Sequence, residues 1–405
     1  MLLSRPFARP LLSLALAASA AAASLVFAEA EVTAVAAPSP TLAKVSYGRD
    51  IRPILSNRCF QCHGPDPSSR KEELRLDEFD FATADRGGYA AIVPGDPEAS
   101  ELWRRVSEHD PEERMPPQDS PKRALNADEL SLVRRWIEEG AHYEPHWAFV
   151  APKRAELPAV RNAAWPRGEV DRFLLAGLEQ AGLSPSPEAD RATLLRRVFL
   201  DLTGLPPTPE EYDAFLSDTR QDAYERWVDR LLNEEPYLSR YAERMATPWL
   251  DAARYADTNG IHMDAGRQMW AWRDWVLQAF REGMPYDQFL TEQLAGDLMP
   301  DATIAQKVAS GFNRNHVITD EGGAINEEYL VEYSVDRANT TGAVFLGLTL
   351  GCARCHDHKF DPITQEDYYR VFSYFSSNEE PGLYSQLTDS NRAFEPFMSV
   401  PNEMQ

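Results

Sequence analysis

Apolar residues recur every three or four positions through most of the chain, which is the periodicity of an α-helix buried on one side. The first such segment covers residues 47–58, where Ile51, Ile54 and Leu55 share one face. The same spacing predicts helices over residues 171–183, 191–202, 223–232, 268–281, 286–294, 304–311 and 329–346. Alternating apolar and polar positions, the pattern of a β-strand, are scarce. We therefore predict an all-α protein.

Length and charge limit the possible functions. The 405 residues are enough for two or three globular domains. There are 41 Lys and Arg residues against 64 Asp and Glu residues, giving a formal net charge of -23. This sign argues against a nucleic acid as partner. It favours a partner protein with a basic patch, which electrostatic attraction would steer onto the acidic surface.

The first 30 residues have the composition of a secretory signal peptide. Arg5 and Arg9 precede an apolar stretch over residues 11–27, and small residues follow around Ala28 and Ala30. An uncleaved membrane anchor is the alternative. Residues 31–44, rich in Ala and Pro, are predicted to be a flexible leader. No other segment reaches the roughly 18 apolar residues of a membrane span, so we expect an exported protein, periplasmic or at the cell surface, without a stable transmembrane segment.

The four cysteines form two pairs, and a histidine follows each pair directly. The two sequences are Cys59-Phe60-Gln61-Cys62-His63 and Cys352-Ala353-Arg354-Cys355-His356. CxxCH is the attachment sequence of c-type haem, because thiols about one helical turn apart can bond the two vinyl groups of the porphyrin while the adjoining imidazole binds iron. We predict two covalent haems c, one on Cys59 and Cys62, the other on Cys352 and Cys355. Two disulfides, a four-cysteine zinc site and a thioredoxin-like redox pair are the alternatives.

The iron ligands are predicted from the neighbouring residues. His63 is the expected ligand on one side of the first iron. Met115 is the expected ligand on the other side, because it is the only methionine between the first CxxCH and the closing helix, and Pro116 restrains the chain after it. His109 is the competing candidate. His356 is the expected ligand of the second iron, whose opposite position is either open or filled from elsewhere, since His358 is too close in the chain. The candidates there are His262, His316, Met245, Met263 and Met269.

The helices around the first CxxCH suggest a domain plan. Asn126 and Glu129 form a predicted capping box at the start of a helix that Gly140 ends. A helix before CxxCH and a closing helix after a long loop are typical of a small class I cytochrome c. We predict this domain over residues 45–145, a linker over 146–164, a larger helical domain with the second CxxCH over 165–380, and a tail or the start of a missing region over 381–405.

Longer motifs carry a family resemblance. Residues 50–55, 59–66, 74–77, 92–96, 100–102 and 115–117, with Trp136-Ile137, resemble the planctomycete-type cytochrome C domain. Residues 200–208, 249–257, 295–298 and 351–362 resemble the uncharacterised second domain, of DUF1549 type, of large exported planctomycete proteins. The resemblance implies a further C-terminal domain. We expect the chain to be a fragment, a truncated product or one half of a split pair, with a separate polypeptide as a possible source of that domain.

Three functions follow as hypotheses. The first is an exported dihaem c-type cytochrome that acts in electron transfer. The second is a haem enzyme, resembling a peroxidase or a substrate oxidase, in which one haem passes electrons to the other. The third is a helical binding or scaffold module. No catalytic residue is assigned for any of them.

Overall fold

The computed structural model describes residues 44–262, 264–384 and 395–401. The predicted signal peptide, nearly all of the predicted leader, Met263 and parts of the predicted tail lie outside the described residues. The described residues form fifteen α-helices, joined by loops and short 3-10 or π-helical turns, and contain no β-strand. The predicted all-α class is therefore confirmed.

Five short helices form the part of the chain that contains the first CxxCH. They are α1 (Arg52–Arg58), α2 (Phe60–His63), α3 (Phe79–Thr83), α4 (Glu101–Ser107) and α5 (Ala127–Glu138). A π-helical turn over Tyr47–Ile51 leads into α1. The predicted capping box is present at α5, where the Glu129 amide donates to the side chain of Asn126 and the Asn126 amide donates to the carboxylate of Glu129.

Ten helices follow. They are α6 (Glu169–Gln180), α7 (Arg191–Thr203), α8 (Pro209–Ser217), α9 (Ala223–Asn233), α10 (Tyr237–Ala252), α11 (Trp270–Glu282), α12 (Tyr286–Ala295), α13 (Ile304–Ala309), α14 (Asn326–Thr341) and α15 (Gln365–Ser373). The predicted helices lie within a few residues of the observed ones. The pattern did not predict α10, whose end includes the charged and aromatic residues around Trp249.

The first core joins the two ends of the N-terminal part of the chain. Ile51 and Leu55, near the first CxxCH, are buried together with Trp136 and Ile137 of α5. The rings of Tyr47 and Trp136 pack with centroids 5.7 Å apart, and the Trp136 indole N–H donates to the carbonyl of His142. The helix before CxxCH and the closing helix are thus packed on each other, and the intervening loops are free to surround a cleft.

Separate cores organise the larger helical part. One packs α7 and α9 around Leu195, Phe199, Trp227 and Leu231. Another contains Ala246 of α10, Trp272 and Val276 of α11, Phe289 of α12 and Phe312. A small cluster of Leu350, Ala353, Ile363 and Tyr368 lies under the second CxxCH. This last core fixes the backbone of the second attachment sequence against α15.

A buried cluster of charged residues lies where the segment after α15 packs against α14. The carboxylate of Glu380, with 3% of its side chain exposed, pairs with Arg314 at 2.8 Å and with Arg337. The imidazole Nε2 of His316 lies 3.5 Å from Glu380 Oε2. The Arg337 side chain is 2% exposed. Charges this deep require partners, so the cluster ties the segment after α15 to α14.

Candidate haem site

The first attachment sequence begins at Cys59, between α1 and α2, and its other four residues form α2. The Cys59 amide donates to the carbonyl of Leu55, and the His63 amide donates to the carbonyl of Cys59 at 2.8 Å, so the sequence continues the helical hydrogen bonds. Phe60 is buried in the core beneath it. Gly64 then ends α2, where a Cβ would lie 2.3 Å from the carbonyl oxygen of Phe60. The chain can leave His63 at this angle because residue 64 has no side chain.

The four side chains predicted to hold the first haem line one cleft. Cys59, Cys62, His63 and Met115 all border a cavity of about 440 Å³. This volume lies within the range of roughly 300–1,000 Å³ that is usual for cofactor pockets. Apolar residues provide much of the remaining wall, namely Leu74, Leu76, Ala91, Leu102, Val106, Pro116 and Pro117. The cleft therefore combines an apolar wall with two thiols, an imidazole and a thioether.

The protein around His63 favours the neutral imidazole. Burial lowers the pKa of His63, and a neutral ring is the form that binds a metal ion. Its Nδ1 atom is buried and makes no hydrogen bond to the protein. The carbonyl of His63 accepts a hydrogen bond from the amide of Leu76 at 2.9 Å. This bond ties the backbone of His63 to another residue that lines the cleft.

Met115 is held in the cleft by the helix before it. The Met115 amide donates to the carbonyl of Arg105 at 2.9 Å. The Arg105 guanidinium donates to the Glu113 carbonyl at 3.0 Å and to the carboxylate of Glu101 at 2.8 Å. The loop is therefore attached to α4 at Met115 and at Glu113, two residues before it. His109, the competing candidate, is exposed and is not among the residues that line the cleft.

These residues fit a covalently attached haem. The donor set is an imidazole nitrogen and a thioether sulfur, a combination that raises the reduction potential of haem iron. The two thiols are free, and burial raises the pKa of Cys59 to about 12.

The second attachment sequence has a different environment. It begins in a 3-10 turn, Leu350–Arg354, and α15 follows it. The carbonyl of Arg354 accepts hydrogen bonds from Gln365 and Tyr369 of α15, both at 3.1 Å. Cys352, Cys355 and His356 are all exposed, and His356 Nδ1 lies 2.8 Å from the carbonyl oxygen of Asp357. The backbone is well anchored, whereas the reactive side chains face outward.

The segment after the second CxxCH lies against the first domain. Lys359 Nζ donates to Asn57 Oδ1 at 2.8 Å, only two residues before Cys59. Arg52 of α1 donates to the carbonyl of Phe360 at 3.1 Å, and His146 Nε2 lies 3.0 Å from Asp361 Oδ1. Asp66 is also near His356. Burial alone raises the pKa of Asp66, but hydrogen bonds from Ser68 and Ser69, together with the His356 imidazole, lower it overall. The two attachment sequences are thus neighbours in space.

The candidates for the opposite position on the second iron lie in several places. His316 is fully buried, with its Nδ1 2.8 Å from the carbonyl of Val317. His262 Nδ1 lies 3.2 Å from Asp320. His358 is buried, and its Nδ1 accepts the amide hydrogens of Phe360 and Asp361. Met269 packs in the core of α11 and Met245 is half-buried on α10. In three of these histidines, one ring nitrogen therefore already contacts another group of the protein.

The alternatives for the cysteines have no support in the geometry. All four cysteines are free, so neither pair is joined as a disulfide. Among the residues that the structure describes, no three His, Cys, Asp or Glu side chains form a group that could hold a metal ion. The described chain also lacks the strands that a thioredoxin-like βαβ unit requires.

The cleft also has a basic rim, which the sequence motifs did not predict. Arg58, Arg86, Arg105 and Lys122 line it beside the cysteines. Arg58 directly precedes Cys59, so the sequence alone could have placed it next to the first attachment sequence. The other three lie 23 or more residues beyond His63, and only the fold brings them to the cleft.

None of the helices in the described part of the chain has the length and apolarity to cross a bilayer.

Comparison with known families supports the order of the two regions. Residues 59–119 match the family model described as Planctomycete cytochrome C, and residues 169–380 match the model described as Protein of unknown function (DUF1549). The first match contains Cys59, Cys62, His63 and Met115. Both matches confirm the resemblance predicted from the motifs. No curated protein and no solved structure matches the chain.

Proposed function

Because the chain belongs to the family described as Protein of unknown function (DUF1549) and has a cytochrome c-like region before it, we propose that it is an exported dihaem c-type cytochrome that transfers electrons. The observation that carries this proposal is the single cleft bordered by Cys59, Cys62, His63 and Met115. Met115 lies more than 50 residues beyond His63 in the chain, yet it lines the same cleft as the two thiols and the imidazole of the attachment sequence.

In this proposal each residue of the first cleft has a distinct role. Cys59 and Cys62 would hold the haem through thioether bonds, and His63 and Met115 would be the ligands of its iron. The bound haem supplies a one-electron couple at the high potential that histidine and methionine ligation favours. The protein contributes the neutral His63 ring, the anchored Met115 loop and an apolar wall. Covalent attachment retains the group outside the cytoplasm, in keeping with the predicted export.

The second haem would be held by Cys352, Cys355 and His356. The contact between Lys359 and Asn57, and the nearness of His356 to Asp66, support a short route between the two haems. Electrons would then enter and leave through different surfaces of one molecule. The exposed second site and the net charge of -23 suit an encounter with a partner that has a basic patch, with an association rate that falls as salt rises.

Counting covalent haem tests the proposal. The chain should be exported by a host with cytochrome c maturation and measured by the pyridine haemochrome method, against protein concentration. We expect two haems per chain in the wild type, and one in either double variant, Cys59→Ala with Cys62→Ala or Cys352→Ala with Cys355→Ala. The two variants are matched controls for each other, because each removes one pair and leaves the other unchanged.

The outcomes of the count are distinct. A colourless wild-type protein contradicts the proposal entirely. One haem in the wild type, lost in the Cys59/Cys62 variant and retained in the Cys352/Cys355 variant, limits electron transfer to the first cleft. Absence of haem from both sites would favour the third hypothesis, a binding or scaffold module.

A second candidate function is favoured by the engagement of the histidines. His262 pairs with Asp320, while His316 and His358 are buried and hydrogen-bonded. If no other ligand replaces them, the second iron keeps an open position and can bind small external molecules, as in the haem enzyme hypothesis. The reduced wild type should then bind one carbon monoxide per chain, measured by difference spectroscopy, and the Cys352/Cys355 variant should bind none. A reduced wild type that binds no carbon monoxide excludes this candidate.

A further inference from the structure

Two cations line the first cleft, and a third, from a distant part of the chain, binds the residue next to one of them. Arg58 and Lys122 both line it. Lys359 arrives from the second attachment sequence and donates from Nζ to Asn57 Oδ1, on the residue before Arg58. Partial desolvation lowers the pKa of Lys359, and the positive charges of Lys122 and Arg58 lower it further. Like charges in such an arrangement repel one another unless an anion lies between them.

The carboxylates nearby do not neutralise this group. Glu129 accepts one bond from Arg58 at 3.1 Å, but it also accepts two from Arg123 and one from the amide of Asn126, all at 2.9 Å. Asp119 lines the cleft. Among the described residues, neither Asp119 nor any other acid forms an ion pair with Lys122 or Lys359. Two of the three cations thus lack an acidic partner.

Arg58 also has donor capacity left over. Its Nε atom is buried and has no hydrogen-bond partner, although one terminal nitrogen binds Glu129. A buried guanidinium N–H without an acceptor is costly, and a carboxylate is the acceptor that guanidinium binds best. The rim of the cleft therefore offers Arg58 and Lys122, with Lys359 beside Arg58, to an anion with carboxylate chemistry.

We propose that Lys359, together with Arg58 and Lys122, binds the propionate carboxylates of the haem in the first cleft. The inference rests on the proposed function, since it requires a haem on Cys59 and Cys62. A c-type haem carries two such carboxylates, and a partly buried carboxylate requires charged or hydrogen-bonding partners. Lys359 is three residues beyond His356. The segment that follows the second attachment sequence would thus contribute a residue to the binding site of the first haem.

This arrangement makes the first haem sensitive to the second domain. A positive charge near the iron stabilises the added electron, so Lys359 raises the potential of the first haem. Loss of the charge should lower that potential even when every ligand and thioether bond remains. A residue that only holds the domains together would not have this effect.

The test is the Lys359→Gln variant of the full, haem-loaded chain. Glutamine keeps a donor for Asn57 Oδ1 and removes the charge. At a fixed solution potential we expect the ratio of reduced to oxidised first haem to fall about tenfold, which equals 59 mV for one electron, with the haem count unchanged. Spectroelectrochemical titration measures this shift. Lys359→Arg, which retains the charge, should restore the wild-type potential.

Two further variants separate the explanations. Lys307→Gln makes the same chemical change at a lysine that lines a different pocket, and it should leave the potential unchanged. Asn57→Ala removes the contact with Lys359 but keeps its charge, so it should have a smaller effect than Lys359→Gln. An unchanged potential in Lys359→Gln, or an equal fall in Asn57→Ala, overturns the inference. A first cleft without haem would instead refute the proposed function.

Discussion

Replacing Met115 by alanine should lower the midpoint potential of the first haem by roughly 0.1–0.3 V, a fraction of the approximately 0.8 V over which axial ligands set haem potentials. The thioether sulfur is a soft ligand that stabilises reduced iron, and water or an open position in its place removes that preference. Met115 is bound to Arg105 through its backbone amide. Since Met115→Ala keeps this bond, the loop should retain its position.

Two controls make the Met115 result specific. Met398 is 43% exposed, close to the 39% of Met115, and it borders another pocket, so Met398→Ala should leave both potentials unchanged. His109→Ala removes the competing ligand and should also have no effect, because His109 lies outside the cleft lining. A shifted potential in His109→Ala with no change in Met115→Ala would assign the ligand to the histidine instead. Redox titration followed in the visible spectrum distinguishes these cases.

Local features of the fold could be predicted because neighbouring residues determine them. The box of Asn126 and Glu129 needs only four consecutive positions, and it is present at the start of α5. A box with the same spacing, of Thr208 and Glu211, begins α8. The CxxCH spacing likewise lies within one turn. Met115 was reached by its uniqueness in the loop. It lines the same cleft as His63, and its role as an iron ligand stays a prediction.

Contacts between distant segments left no such pattern. Nothing in the sequence around Lys359 shows that its ammonium group will meet Asn57, more than 300 residues away. The carboxylate of Glu380 follows α15 in a stretch that has the composition of a surface loop, yet Arg314 and Arg337 enclose it. Helix α10 was missed because aromatic and charged residues interrupt its apolar stripe and Pro248 lies inside it. Tertiary packing decides each of these features.

Replacing Glu380 by glutamine should destabilise the larger helical part of the chain by about 3–5 kcal/mol, because it removes one partner of a buried ion pair and leaves a charge uncompensated. Arg337 is 2% exposed and would keep its charge without an acid. Glu366→Gln is the matched control, since the Glu366 and Arg370 side chains are 73% and 69% exposed and surface pairs contribute only about 0–1 kcal/mol. Urea unfolding at pH 7, followed by circular dichroism, measures both. Equal unfolding midpoints for the two variants would contradict the prediction.

The pH dependence of the unfolding free energy in Glu380→Gln tests whether the charge of Glu380 stabilises the cluster. Burial lowers the pKa of His316 to about 4, below the value of about 6.5 in an unfolded chain, so stability should fall as pH decreases from 6.5 towards 4. Burial raises the pKa of Glu380, but His316 and Arg337 hold it well below its usual range. Protonation of Glu380 therefore adds a further loss below about pH 4.3 in the wild type. Glu380→Gln has no such carboxylate, so the difference in unfolding free energy between wild type and variant should shrink below that pH. A difference that stays constant would mean that packing, and not the charge of Glu380, stabilises the cluster.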